Sequence, residues 1–142
     1  KCYLRSLQTR SAVLGDNHVD VARTLYRVGR VLHEQENYVD ALEIYKRTLR
    51  IQQVGLGWDH VEVLETMHNV GRVHHIRGEL NKALAAHRMA FEISVEVLGY
   101  LHPFAALMLK TVGNICLEMG HREDALRFLV EAHNIYKTLH LN

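Results

Sequence analysis

Residues 56–71 read LGWDHVEVLETMHNVG, and both ends of this stretch recur at a constant interval along the chain. Its opening Leu-Gly pair, the His four positions after that Leu, and its closing Val-Gly pair each occur three times, 42 residues apart. The Leu-Gly pairs start at Leu14, Leu56 and Leu98, and the Val-Gly pairs start at Val28, Val70 and Val112. The histidines are His18, His60 and His102. A fixed period of this kind predicts a stack of similar structural units.

The repetition extends through the whole of each unit. Residues 16–57 and 58–99 share 14 identities over 42 aligned positions, where unrelated segments would share roughly two or three. We therefore treat residues 1–142 as one domain made of a partial repeat at 1–15 and repeats at 16–57, 58–99 and 100–142. Because the chain opens in the middle of a repeat, we expect it to be part of a longer protein.

Each unit contains two stretches with helical spacing of apolar residues, for example Val21, Leu25, Val28 and Leu32. Such spacing predicts an amphipathic helix, and two in succession predict a helical hairpin. We call the first helix of each hairpin helix A and the second helix B. Asn37, Gly78 and Gly120 are expected to take the left-handed conformation that ends helix A. The predicted helices cover residues 1–13, 18–36, 38–55, 60–78, 80–97, 103–120 and 122–139.

Small residues recur at two positions of every hairpin. They are Gly29, Gly71 and Gly113 in helices A and Ala41, Ala83 and Ala125 in helices B. If these residues face each other, the two helices can approach closely. Because a lone hairpin leaves apolar surface uncovered, the hairpins must stack, which predicts an all-α superhelix with a concave groove.

These motifs resemble the tetratricopeptide repeat. The positions that carry the likeness in the first unit are Leu25, Val28, Gly29, Leu32, Ala41, Tyr45 and Thr48. The 42-residue period with Leu-Gly-x-x-His before helix A is similar to the long repeats of kinesin light chains. The resemblance implies a protein-binding scaffold in which helices A line the groove.

In the register that the resemblance implies, helices A present a predominantly basic surface to the groove. We expect Arg30 and Arg72 to bind carboxylates of an acidic peptide, because guanidinium groups pair well with carboxylates, and Asn69 to bind its backbone. The predicted peptide-binding residues are Arg23, Tyr26, Arg27, Arg30, His33, His68, Asn69, Arg72, His75, Lys110 and Asn114. The alternative is a solvated helix face on which Glu34 and Glu65 neutralise these cations.

An apolar stretch follows on the same face at Ile76, Leu107 and Leu117. It either holds an aromatic side chain of the peptide or lies beneath a further repeat. We also expect self-association through open terminal repeats, because no polar capping unit is recognisable at the end of the chain.

Eleven histidines raise the question of a metal or catalytic site. His18, His60 and His102 lie one repeat apart, too far for ligands of one ion, and this spacing favours a role at the repeat junctions. No HExxH, CxxC, GxSxG or Gly-rich phosphate motif is present, so we predict no metal, cofactor or catalytic residue. With an unperturbed pKa near 6.5, the three groove histidines should add positive charge in mild acid.

Composition narrows the class of partner. The net charge of +1 provides no overall field for nucleic acid or anionic membranes, so we predict protein or peptide partners. Cys2 and Cys116 occupy unrelated positions of the repeat, and no apolar run reaches 18 residues, which together favour a cytoplasmic protein with free thiols.

Three other function classes stay open. An enzyme would need a convergent acid–base cluster with shifted pKa values in a closed pocket. A structural or oligomerisation segment of a larger protein would fill the groove with its own residues or a second copy. RNA binding by helical repeats needs a base-reading pair in every unit, a regularity that Tyr26-Arg27, His68-Asn69 and Lys110-Thr111 lack.

Overall fold

The computed structural model describes residues 19–57 and 60–140, which form α-helices joined by short turns and contain no strand. The helices are α1 (Val19–Glu34), α2 (Tyr38–Leu56), α3 (Val61–Ile76), α4 (Leu80–Leu98), α5 (Pro103–Glu118) and α6 (Arg122–Thr138). Each helix A (α1, α3, α5) packs along the helix B that follows it, and each helix B packs against the next helix A. This arrangement confirms the predicted all-α solenoid; the helix predicted at 1–13 lies outside the described residues.

Two of the periodic histidines, His60 and His102, begin α3 and α5. The Nδ1 atom of His60 accepts a hydrogen bond from the backbone N–H of Glu62 at 3.1 Å, and His102 accepts one from Phe104 at 3.0 Å. Both histidines have extended backbone conformation, as N-cap residues do. Each imidazole therefore satisfies an N–H group that the helix leaves free, which is the physical role of the His in the repeat.

Helices A end two residues before the predicted boundaries. After α1 the left-handed residue is Glu36, with φ 62°, whereas Asn37, which we predicted to be left-handed, has φ −90°. The reason is the closing hydrogen bonds: Glu36 N–H donates to the carbonyl of His33 and Asn37 N–H to that of Leu32. This pattern requires positive φ at the residue before Asn37. Gly78 and Gly120, with φ of 78° and 85°, occupy the same place in the later repeats.

The glycines of helix A pack against larger side chains of helix B. A Cβ atom added to them would lie 2.6–2.8 Å from these side chains; the pairs are Gly29 with Tyr45, Gly71 with His87 and Gly113 with Leu129. At Gly113 the added Cβ would also lie 3.3 Å from the carbonyl oxygen of Ala125, the small residue predicted to face it. The absence of a side chain at the glycines thus accommodates a larger side chain one helical turn after the predicted alanine.

The core lies both within and between hairpins. Val28, Val70 and Val112 are buried at equivalent positions, as the period predicts. One apolar cluster joins Ala41, Leu42 and Tyr45 of α2 to Val70 and Val73 of α3. Because such clusters span consecutive repeats, the hairpins stabilise one another by stacking.

The strained turn at Glu36 gives a stability prediction. Glu36→Gly should raise the free energy of unfolding by up to about 1 kcal/mol, because glycine tolerates positive φ without a Cβ clash. Gly78→Ala should lower the free energy of unfolding by about 1 kcal/mol for the converse reason. Because a Cβ there meets no neighbouring atom, the whole cost comes from the positive φ. Urea denaturation measures both; a destabilised Glu36→Gly variant would contradict the strain argument.

His87 of α4 is a fully buried histidine. Its side chain is inaccessible, its Nδ1 lies 3.4 Å from Nδ1 of His68, and its Nε2 has no hydrogen-bond partner within the described residues. Burial, with a smaller contribution from His68, lowers the pKa of His87 to about 3. The folded protein therefore keeps this imidazole neutral well below the pH at which an unfolded chain protonates it.

The depressed pKa of His87 makes stability sensitive to acid. Above about pH 6.5 both states are neutral at this group and it contributes no pH dependence. Between about pH 6.5 and 3 only the unfolded state takes up the proton, so the free energy of unfolding should fall by about 1.4 kcal/mol per pH unit. Urea titrations at pH 7, 5.5 and 4.5 test this, and His87→Leu should reduce the slope. An unchanged slope in that variant would refute the assignment.

Candidate functional site

Arg30 and Arg72 face the same cavity. They come from equivalent positions of consecutive helices A, one repeat apart, and the cavity has a volume of about 290 Å³. We call it the arginine cavity; its lining residues are Arg30, His33, Glu34, Tyr45, Asn69 and Arg72. Within residues 19–57 and 60–140 neither guanidinium forms an ion pair, and Glu34 and Glu65 form none either. Glu34 nevertheless lines this cavity and Glu65 the adjoining one, so both carboxylates reduce the positive charge of the face.

A hydrogen-bonded chain orients Arg72. Its Nη1 donates to Oδ1 of Asn69 at 3.4 Å, and Nδ2 of Asn69 donates to the hydroxyl of Tyr26 at 2.7 Å and to the carbonyl of Glu65 at 3.1 Å. Asn69 is 8% exposed. Both hydrogens of its amide are thus used inside the protein, so Asn69 positions Arg72 instead of offering a donor to a peptide backbone.

Tyr45 of α2 also lines the cavity, although it was not among the predicted binding residues. The side chain is fully buried and its hydroxyl has no hydrogen-bond partner among the described residues. Burial raises the pKa of Tyr45 to about 12, so the hydroxyl stays protonated at neutral pH. Its position opposite Gly29, repeated at His87 and Leu129, is the sequence signal that would have identified it.

Arg23 is paired within the protein. Its Nε and Nη2 donate to the two carboxylate oxygens of Glu62, each at 3.0 Å, and Nη1 lies 3.4 Å from Asp20. The hydrogen bond from Arg23 lowers the pKa of Glu62. Glu62 was not among the predicted groove residues, and it makes Arg23 a link between α1 and α3.

A second cavity adjoins the arginine cavity and shares Arg30. It has a volume of about 280 Å³. The lining residues are Arg23, Tyr26, Arg27, Arg30, Gln52, Glu62 and Glu65. Arg27 is exposed here and has no ion-pair partner within the described chain, whereas Glu65 on the opposite side adds negative charge. Positive potential is therefore concentrated at Arg27, Arg30 and Arg72.

The predicted acid response of the groove histidines is wrong for two of them. Burial, followed by the nearby Arg72, lowers the pKa of His33 and of His68. At a pH where free histidine is partly protonated, both imidazoles therefore carry less positive charge than free histidine does. The Nε2 atom of His75 lies 2.7 Å from a carboxylate oxygen of Glu118, so this histidine links α3 to α5.

The third repeat adds a different surface. Lys110 and Asn114 are exposed on α5 and form no side-chain hydrogen bond within the described ranges. The apolar side chains of Ile76, Leu107 and Leu117 are 53%, 38% and 49% exposed. The groove thus changes from basic to apolar along its length.

Two further features are absent from the described residues. No three His, Cys, Asp or Glu side chains there are arranged to hold a metal ion. None of the helices there combines the length and apolar character that crossing a membrane requires.

Comparison with known proteins identifies the family. The sequence model of the tetratricopeptide repeat family matches residues 1–53 and 56–138. The chain belongs to this family, whose fold supports a role as a protein–protein interaction scaffold. No curated protein sequence matches the chain closely enough to count as a relative.

Solved structures agree in fold. BtubC (BKLC) from P. vanneervenii superposes with a TM-score of 0.89 at 16% identity, over 97% of this chain and 55% of that one. A putative kinesin light chain with nearly identical TPR-like repeats from Podosopora anserina gives 0.83 at 17% identity, over 97% and 65%. MamA gives 0.67 at 15% identity, over 96% and 77%. The chain thus spans less than two thirds of the first two structures, and these identities establish the fold alone.

The role of the hydrogen bonds that join Tyr26, Asn69 and Arg72 can be tested by removing the hydroxyl oxygen of Tyr26. Tyr26→Phe leaves a buried amide hydrogen of Asn69 without its acceptor, which should lower the free energy of unfolding by about 1 kcal/mol. Tyr38→Phe is the matched control, because the hydroxyl of Tyr38 has no hydrogen-bond partner in the described residues. Equal effects of the two substitutions in urea denaturation would contradict the role given to Tyr26.

Proposed function

We propose that the groove lined by α1, α3 and α5 binds an acidic segment of a partner protein, with Arg30 and Arg72 holding its carboxylates. The observation that carries this proposal is the pair of guanidinium groups that share one cavity without an ion pair in the described residues. A guanidinium group binds a carboxylate through two parallel hydrogen bonds, and it does so most strongly where water is partly excluded.

The contacts divide the predicted binding residues into two sets. Those with free polar groups facing the groove would contact the peptide: Arg27, Arg30, His33, Arg72, Lys110 and Asn114. The others hold neighbouring helices together or orient the first set: Arg23, Tyr26, His68, Asn69 and His75. Under this proposal, charge selects the ligand in the first two repeats, and the apolar surface of the third contributes contact area.

The proposed role involves no cofactor, metal or catalytic step. Self-association through the terminal repeats and a cytoplasmic location stay predictions. The exposed Leu126 and Val130 of α6 favour a further protein contact at that end, either with another segment of a larger protein or with a second copy.

The proposal is tested by charge reversal. An array of acidic peptides, each beside a counterpart in which Gln and Asn replace Glu and Asp, identifies a ligand. Arg30→Glu with Arg72→Glu should then weaken binding by at least about tenfold while leaving helical content unchanged, because repulsion replaces two charge-assisted hydrogen bonds. Fluorescence anisotropy measures the affinity and circular dichroism the helix content.

A matched control has the same change in charge on helices B. Lys46 and Arg88 are exposed and occupy equivalent positions of α2 and α4, so Lys46→Glu with Arg88→Glu alters the net charge equally without altering the cavity. This control should retain most of the affinity. Raising salt from about 0.1 to 1 M should weaken binding of the unmodified chain, since the Debye length falls from about 10 to 3 Å. Equal losses in both double variants, or affinity independent of salt, would refute the proposal.

A further inference from the structure

The deepest donor of the arginine cavity points to the kind of anion that it takes. Tyr45 has no accessible surface, yet it lines the cavity and its hydroxyl has no acceptor in the described residues. A buried hydroxyl without a partner costs stability, so such groups are normally satisfied. An anion seated between Arg30 and Arg72 would supply the missing acceptor.

We infer that the arginine cavity is a subsite for a phosphate monoester carried by the partner segment, that is, for a phosphorylated side chain. This inference rests on the proposed function, since it names the chemistry of one ligand group in the same groove.

The donors of the cavity come from several directions. Arg30 and His33 lie on α1, Arg72 on α3, and Tyr45 lines the cavity from α2. A carboxylate is planar and has two oxygen atoms, whereas a phosphate monoester has three acceptor oxygens in a tetrahedral arrangement. In the inferred complex, a tetrahedral group would offer one oxygen atom to each guanidinium and a third to the hydroxyl.

Charge favours the same ligand. Arg30 and Arg72 contribute two positive charges, and Glu34 is the one carboxylate that lines the cavity. A phosphate monoester carries close to two negative charges at neutral pH and so matches the two guanidiniums better than one carboxylate does. Glu34 reduces the combined charge of these three side chains to +1, which still attracts a dianion more strongly than a monoanion. The cavity volume of about 290 Å³ is large enough to admit a phosphorylated side chain.

Part of the subsite is organised before binding. Asn69 orients the guanidinium of Arg72, and Tyr26 and the carbonyl of Glu65 hold Asn69. Gly29 allows the ring of Tyr45 to approach α1, because a Cβ at Gly29 would lie 2.7 Å from it. Groups held in place in this way lose little entropy when the ligand binds.

The test compares two small probes on the full chain at constant ionic strength. N-acetyl-phosphoserine methylamide and N-acetyl-glutamate methylamide are titrated by NMR, following the signals of Arg30, Tyr45 and Arg72. The phosphoserine probe should bind about tenfold more tightly or better, and Tyr45→Phe should remove about tenfold of its affinity by deleting one hydrogen bond to a charged group. Tyr45→Phe should not lower stability, because the lost hydroxyl has no partner in the described residues.

Each outcome decides the inference. Equal affinity for the two probes, phosphoserine shifts centred elsewhere, or undiminished phosphoserine binding by a folded Tyr45→Phe variant would overturn it. If Tyr45→Phe fails to fold, Arg72→Gln takes its place, and undiminished phosphoserine binding by that variant overturns it equally. If the probes do not differ but an acidic peptide still depends on Arg30 and Arg72, only the phosphate subsite is wrong. Loss of that dependence would overturn the proposed function as well.

Discussion

The close approach of a bulky helix B side chain to a helix A glycine is the constraint on which the rest of the structure depends. At Gly29, Gly71 and Gly113 a Cβ atom would collide with the ring or branch opposite. Without a side chain at this position, the two helices of a hairpin pack with Tyr45, His87 or Leu129 between them. Tyr45 also belongs to the apolar cluster that joins α2 to Val70 and Val73 of α3, so in the first hairpin the same side chain contributes to the contact between consecutive repeats.

What occupies that position gives each repeat a different character. Tyr45 brings a hydroxyl into the arginine cavity, whereas His87 brings an imidazole that burial keeps neutral and Leu129 brings no polar group. The first hairpin therefore carries a buried hydroxyl without a partner in the described residues, and the second carries a buried imidazole whose pKa is lowered. One position of the repeat thus accounts for both the candidate site and an unusual feature of the core.

Polar links between neighbouring helices A change the meaning of several groove residues. Arg23 is paired with Glu62, Tyr26 with Asn69, and His75 with Glu118, each across consecutive repeats. Each pair joins one helix A to the next. The pairs Arg23–Glu62 and Tyr26–Asn69 join α1 to α3, the two helices that carry Arg30 and Arg72. Several residues of the basic face predicted from sequence therefore hold neighbouring helices together. Fewer side chains leave their charge available to a ligand.

The sequence by itself determined the repeat, the order of the described helices and the histidines that begin α3 and α5, because these depend on local spacing and on short-range hydrogen bonds. It also placed Arg30 and Arg72 on one face, since equivalent positions of a periodic structure point the same way. It did not determine that Glu36 takes the left-handed turn, that Glu62 neutralises Arg23, or that Tyr45 reaches the cavity. The turn at Glu36 is local, and it depends on where the closing hydrogen bonds to His33 and Leu32 fall. The other two were decided only by the tertiary structure, because they depend on the distance and angle between helices, which side-chain periodicity does not encode.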